Sequence, residues 1–269
     1  MLVRGTVAAL AVAGALIQVA PAAAAIPPGY TRVATGNLTA HAGTQTRAAA
    51  SCPAGTVLFG GSVFVFSPSL LANVNSSFPS GTSWVADVNN GSGADMTFEV
   101  TAICGFQPKN YAIVQTPATA NASGSHTTAL AKCPTGSKPL GGGGLSSSSS
   151  TFVNVGSTFP QRGGWRVDEN NSSANPATLT AFAICGKLKG YVVVDPGFDL
   201  PAPANSQSDV TVTCPDSTLT ISGGARVNTT SVGVNLNATW IDGRNWNSLV
   251  NNFSGLNLTA RPFAVCAGT

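Results

Sequence analysis

The sequence predicts an all-β protein of three tandem repeats, each about 81 residues long and each a β-sandwich or barrel-like unit, set about a pseudo-threefold axis. The first observation is the spacing of the six cysteines. Cys52 and Cys104, Cys133 and Cys185, and Cys214 and Cys266 each lie 52 residues apart, and the pairs recur every 81. The second is that the same shift aligns other residues without a gap. Trp84 falls on Trp165 and Trp246, Phe78 on Phe159 and Trp240, Asn73 on Asn154 and Asn235, and Gly61 on Gly142 and Gly223. The third is two-residue alternation. Phe98, Val100, Ala102 and Cys104 share one face of a strand, while Thr97, Glu99, Thr101 and Ile103 share the other.

Taken in order, Met1–Ala25 reads as a signal peptide: Arg4, an apolar run from Val7 to Ile17, then small residues ending at Ala25. The repeats then occupy residues 26–108, 109–188 and 189–269. In the first, strands are expected near Tyr30–Thr35, Thr44–Cys52, Val57–Phe66, Leu71–Phe78, Ser83–Asn89 and Met96–Cys104, closing on themselves as one unit. The stretch "GGGGLSSSSS", Gly141–Ser150, has the composition of a flexible linker. Its column in the first repeat holds Val63, Phe64, Val65 and Phe66, so it is read as a strand with a glycine bulge, loosely packed. The last strand of each repeat turns apolar on its second face only near its end, at Ile103, Phe182–Ile184 and Phe263–Val265. That corner is where copies are expected to touch. The connectors "GFQPKN" and "GKLKG" are short, which favours a closed cluster over beads and a monomer with internal pseudo-symmetry.

Charged residues make up 9% of the chain and the net charge is +3, with no basic run, so nucleic acid is not an expected partner. No later segment has the length and apolarity of a membrane helix. An even set of cysteines in a secreted chain implies disulfides. The repeat favours Cys52–Cys104, Cys133–Cys185 and Cys214–Cys266, each closing a loop worth roughly 4 kcal/mol. The rival pairing joins neighbours, as in Cys104–Cys133. Zinc is disfavoured because no C-x-x-C occurs and no His recurs with the cysteines. No metal and no cofactor is expected.

The candidate ligand-binding residues are the repeated pairs Asn89 and Asn90, Asn170 and Asn171, and Asn251 and Asn252. Amides offer donors and acceptors suited to sugar hydroxyls. The competing reading of the same residues is turn chemistry between two strands. The tryptophan column reads as core before it reads as a sugar platform. No catalytic residues are assigned. His41 and His126 do not share a column, and Glu99 and Glu169 are the only glutamates.

At "CPAGTVLFGGS … W … NN … TAICG" the chain resembles a secreted bacterial β-repeat seen mainly in actinobacteria, similar to the globular heads of bacterial collagen-like proteins. Its pattern is C-P-x-G, a glycine cluster, a Trp strand and a closing A-x-C. Repeat 3 departs from it at Ser217 and Ser222. The resemblance implies a disulfide-pinned extracellular module without catalytic residues. The expected function is a secreted, non-enzymatic protein that binds a glycan or another cell-surface component. The alternatives are a structural envelope-associated protein and a secreted enzyme.

Overall fold

A computed structural model describes residues 26–268, so the signal-peptide reading of Met1–Ala25 lies outside the described residues. Repeat 1 contributes β1 (Thr31–Ala34), β2 (Leu38–Ala40), β3 (Thr44–Ser51), β4 (Val57–Phe66), β5 (Ala72–Ser80), β6 (Ser83–Asn90) and β7 (Met96–Gly105). Repeat 2 contributes β8 (Lys109–Gln115), β9 (Thr119–Asn121), β10 (Ser125–Lys132), β11 (Lys138–Ser146), β12 (Val153–Gln161), β13 (Gly164–Asn171) and β14 (Ala177–Lys187). Repeat 3 contributes β15 (Val192–Val194), β16 (Leu200–Ala202), β17 (Ser206–Thr213), β18 (Leu219–Val227), β19 (Val234–Asp242), β20 (Asn245–Asn252) and β21 (Leu258–Ala267). The described residues form no helix, and none therefore crosses a membrane as a helix.

The all-β class and the three repeats are as the sequence predicts, but no repeat closes on itself. Each splits into a four-strand and a three-strand layer, and each layer is continued by a neighbour. The three antiparallel sheets run β1-β7-β4-β19-β20-β17, β3-β6-β5-β11-β14-β8 and β10-β13-β12-β18-β21-β15, with β2, β9 and β16 added on β7, β14 and β21. They are named here the 1/3, 1/2 and 2/3 sheets after the repeats that share them. The joins are short and equivalent: Val63 pairs with Thr239, Gly144 with Ser77, and Ala225 with Thr158. The sheets remain open, so the barrel alternative does not form.

Within a repeat the two layers face each other as a sandwich. Trp84, Trp165 and Trp246 are buried between them, which settles that column as core. The Trp84 and Trp165 indoles donate to Ser77 Oγ (2.9 Å) and Thr158 Oγ1 (2.7 Å). The disulfides Cys52–Cys104, Cys133–Cys185 and Cys214–Cys266 tie the end of the three-strand layer to the last strand of the other, with Cα separations of 5.7, 5.6 and 5.8 Å.

The "GGGG" stretch lies in β11, and the expectation that it packs loosely is corrected. Gly141–Gly144 are all buried. A Cβ on Gly142 would overlap the Trp165 indole, and one on Gly143 would overlap Ser77 O of repeat 1. The glycines are there because strands and indoles approach too closely for any side chain. The bulge falls between Pro139 and Gly141, with equivalents between Leu58 and Gly60 and between Thr220 and Ser222. It turns Phe59, Leu140 and Ile221 into the core.

Candidate binding site

The asparagine pairs lie inside the fold and not on an open surface. All six are 0% exposed. Asn89 Nδ2 donates to Val153 O of repeat 2 (2.8 Å), Asn170 Nδ2 to Val234 O of repeat 3 (2.7 Å), and Asn251 Nδ2 to Ala72 O of repeat 1 (2.8 Å). These three bonds form a ring that closes the chain on itself. Asn90, Asn171 and Asn252 donate to backbone carbonyls on both sides of their turns, for example to Ala40 O and Ala94 O, both at 2.9 Å. The sequence offered them as sugar contacts because amides suit hydroxyls. In the folded chain those donors and acceptors are spent on buried backbone, where a missing partner would be costly.

A second ring runs the other way. Tyr30 donates to Thr220 O (3.0 Å) and Tyr191 to Pro139 O (2.9 Å), and Tyr111 meets the Leu58 backbone in the equivalent place. Burial pushes all three phenols above their ordinary range, Tyr111 to about 12. The two histidines are also structural: His41 Nδ1 lies 2.9 Å from Asp95 Oδ2 on the surface, and His126 sits beside Asn170. Among the described residues no group of three or more His, Cys, Asp or Glu side chains is placed to hold a metal.

The strongest candidate lies where the threefold pattern breaks, on the outer face of the 1/3 sheet. On the 1/2 sheet Phe78 stacks on Phe182 with centroids 5.5 Å apart, and on the 2/3 sheet Phe159 stacks on Phe263 at 5.2 Å. Arg47 and Arg166 reach over Phe78 and Phe159 from above. On the 1/3 sheet the corresponding residues are Trp240 and Thr101, and Asp209 and Asn247 replace the arginines. Thr101 cannot fill the space of a phenyl ring. A cleft of about 430 Å³ opens there, lined by Trp240, Phe64, Phe66, Arg32, Glu99 and Thr101 among others.

The cleft has an aromatic wall and a polar floor. Phe64 meets Trp240 edge to face, with centroids 4.8 Å apart, and Phe66 meets Phe64 at 4.5 Å. Phe66 is exposed, and Trp240 and Phe64 are half-buried. Thr101 Oγ1 lies 3.4 Å from Glu99 Oε1, and the Arg32 guanidinium reaches Ile241 O at 3.5 Å. Acceptor, donor and hydroxyl groups thus sit beside apolar ring faces on an open surface. The sequence carried the signal in two breaks of the repeat, Thr101 against Phe182 and Phe263, and Trp240 against Phe78 and Phe159. Reading the columns for what recurs hid the place where they differ.

Comparison with known family models and with curated proteins returns no match, so the fold and this cleft stand alone as the basis for a functional reading.

Proposed function

We propose that this chain is a secreted, non-enzymatic extracellular binding protein whose 1/3-sheet cleft takes a glycan of a cell surface. The carrying observation is that one of three equivalent faces opens a cleft lined by Trp240, Phe64 and Phe66 beside Glu99, Arg32 and Thr101, while the other two fill the same space with stacked phenylalanines. Aromatic faces pack on the C–H faces of sugar rings, and the carboxylate, guanidinium and hydroxyl suit their hydroxyls. Three disulfides fit an oxidising, extracellular setting.

The decisive variant is Thr101→Phe, which restores the residue found on the other two faces. It should fold at least as stably as the parent and lose glycan binding on an array or on isolated cell walls. Trp240→Ala should lose it as well. Binding that survives Thr101→Phe would remove the cleft from the proposal. No binding by the parent to any glycan or wall polymer would favour a structural role.

A further inference from the structure

A second depression lies beside the loops 67–71 and 147–152 of repeats 1 and 2. The depression, about 150 Å³, draws residues from all three repeats, including Leu71, Asn73, Phe152, Asn154 and Phe253. Its rim is apolar and exposed: Leu71 is 50% accessible, Phe152 61% and Phe253 40%. Leu71 and Phe152 share a column in which repeat 3 has Gly233. Repeat 3 supplies its apolar group from the position bonded to Gly233: Phe253 N donates to Gly233 O, as Gly91 N does to Leu71 O and Ser172 N to Phe152 O. Each repeat therefore places one large apolar side chain on the rim, from one or the other of two paired positions. The core gains nothing from three exposed side chains held this way.

The floor is polar and directional. Gln45 Nε2 donates to Asn89 Oδ1 (3.0 Å), and Asn89 Nδ2 donates to Asn73 Oδ1 (2.9 Å). The same relay runs from His126 through Asn170 to Asn154 Oδ1 (3.0 Å), and from Gln207 through Asn251 to Asn235 Oδ1 (3.2 Å). Each relay consumes the terminal amide's oxygen and leaves its Nδ2 as the free donor. Asn73 and Asn154 line the depression and are themselves 3% and 2% exposed; Asn235, whose Nδ2 is buried without a partner among the described residues, is not part of its lining. A buried N–H lacking an acceptor is unfavourable until a ligand supplies one.

We infer that this depression binds the carboxylate of an aliphatic ligand, with the oxygens on the Asn73 and Asn154 amides and the hydrocarbon between Leu71, Phe152 and Phe253. A carboxylate offers about four lone-pair sites to converging donors. The shared chemistry belongs equally to a short fatty acid and to a peptide ending in leucine. Titration of the full chain with hexanoate and with the acid form of acetyl-Gly-Gly-Leu, followed by calorimetry and amide NMR, distinguishes these sources by which binds more tightly. Saturable one-to-one binding is expected, about tenfold weaker in Phe152→Ala and in Phe253→Ala, both surface changes. Asn154→Asp keeps an oxygen for Asn170 but replaces the donor with a charge, so it should abolish binding while Thr101→Phe leaves it intact. Hexanol should bind at least tenfold more weakly than hexanoate. Failure of both acids to bind, equal binding of hexanol, or end-to-end dimerisation through this rim would overturn the inference.

Discussion

The sandwich cores of repeats 1 and 2 occupy the same place in the fold with different chemistry. In repeat 1 Ala40, Val65 and Val88 are buried together, and repeat 3 matches with Ala202, Val227 and Val250. Repeat 2 has Asn121, Ser146 and Glu169 at those positions, all equally buried. Asn121 Nδ2 donates to Glu169 Oε1 at 2.8 Å, and the Ser125 and Thr127 hydroxyls donate to Asn121 Oδ1 at 2.8 and 3.0 Å. Polar groups have entered this core as a set, because one alone would lack partners. The set is incomplete: Glu169 Oε2 is buried without a partner among the described residues. Burial raises the Glu169 carboxyl from 4.5 to about 7, against the opposing pull of Asn121 and Ser146. The comparison teaches that the repeats share a backbone and its joints but not a common interior.

The largest test of that comparison is the disulfide. Replacing Cys133 and Cys185 by serine, or Cys52 and Cys104, should each lower stability by about 4 kcal/mol, since the loops are equal. Because every sheet is shared by two repeats, either loss should lower one cooperative transition in calorimetry. A separate early transition in the Cys133 and Cys185 variant alone would mean that repeat 2 unfolds by itself, and the shared sheets would not couple the repeats as described.

Next in size is the pH dependence carried by Glu169. Its folded-state pKa of about 7 lies above the unfolded 4.5, so the folded form holds the proton more tightly. Its contribution is fully present below about pH 4.5, falls as pH rises, and is lost by about pH 7. The span is about 3 kcal/mol for a shift of this size. Replacing the set by repeat 1's residues, Asn121→Ala with Ser146→Val and Glu169→Val, should flatten that slope and raise stability at pH 7. Urea titrations at pH 4.5 and 7.5 on both proteins give the difference directly. An unchanged slope would place the pH response elsewhere.

Much of this molecule is legible in the sequence because disulfides, tryptophans and glycines obey a fixed 81-residue period. The corner where copies meet was visible in Phe182 and Phe263, apolar on a face that is otherwise polar. The sharing of sheets was not visible. A strand's alternation states which face is buried but not whether its edge pairs within a repeat or beyond it. The same limit applies to the asparagines. Their recurrence marked them as important, yet an amide serves a sugar hydroxyl and a neighbouring carbonyl equally well, and the carbonyl bonds between repeats were not visible in the spacing.

The smallest effect expected comes from a second difference between repeats 1 and 2. Gln45 Nε2 donates to Asn89 Oδ1 at 3.0 Å, and in repeat 2 His126 Nδ1 takes that place, 2.8 Å from Asn170 Oδ1. Asn170 Nδ2 is already committed to Asn154 Oδ1 and Val234 O, so its oxygen faces His126 and must accept. The network thereby assigns the proton to Nδ1. Gln supplies the same single N–H from the same strand position, so His126→Gln should change stability by no more than about 0.5 kcal/mol. His126→Leu removes the donor and leaves the buried Asn170 oxygen unpaired, at a cost of about 1–2 kcal/mol. Denaturant midpoints for the two variants separate the cases. If Leu proves as harmless as Gln, the Asn170 amide is not oriented from this side, and the relay toward Asn154 does not begin at residue 126.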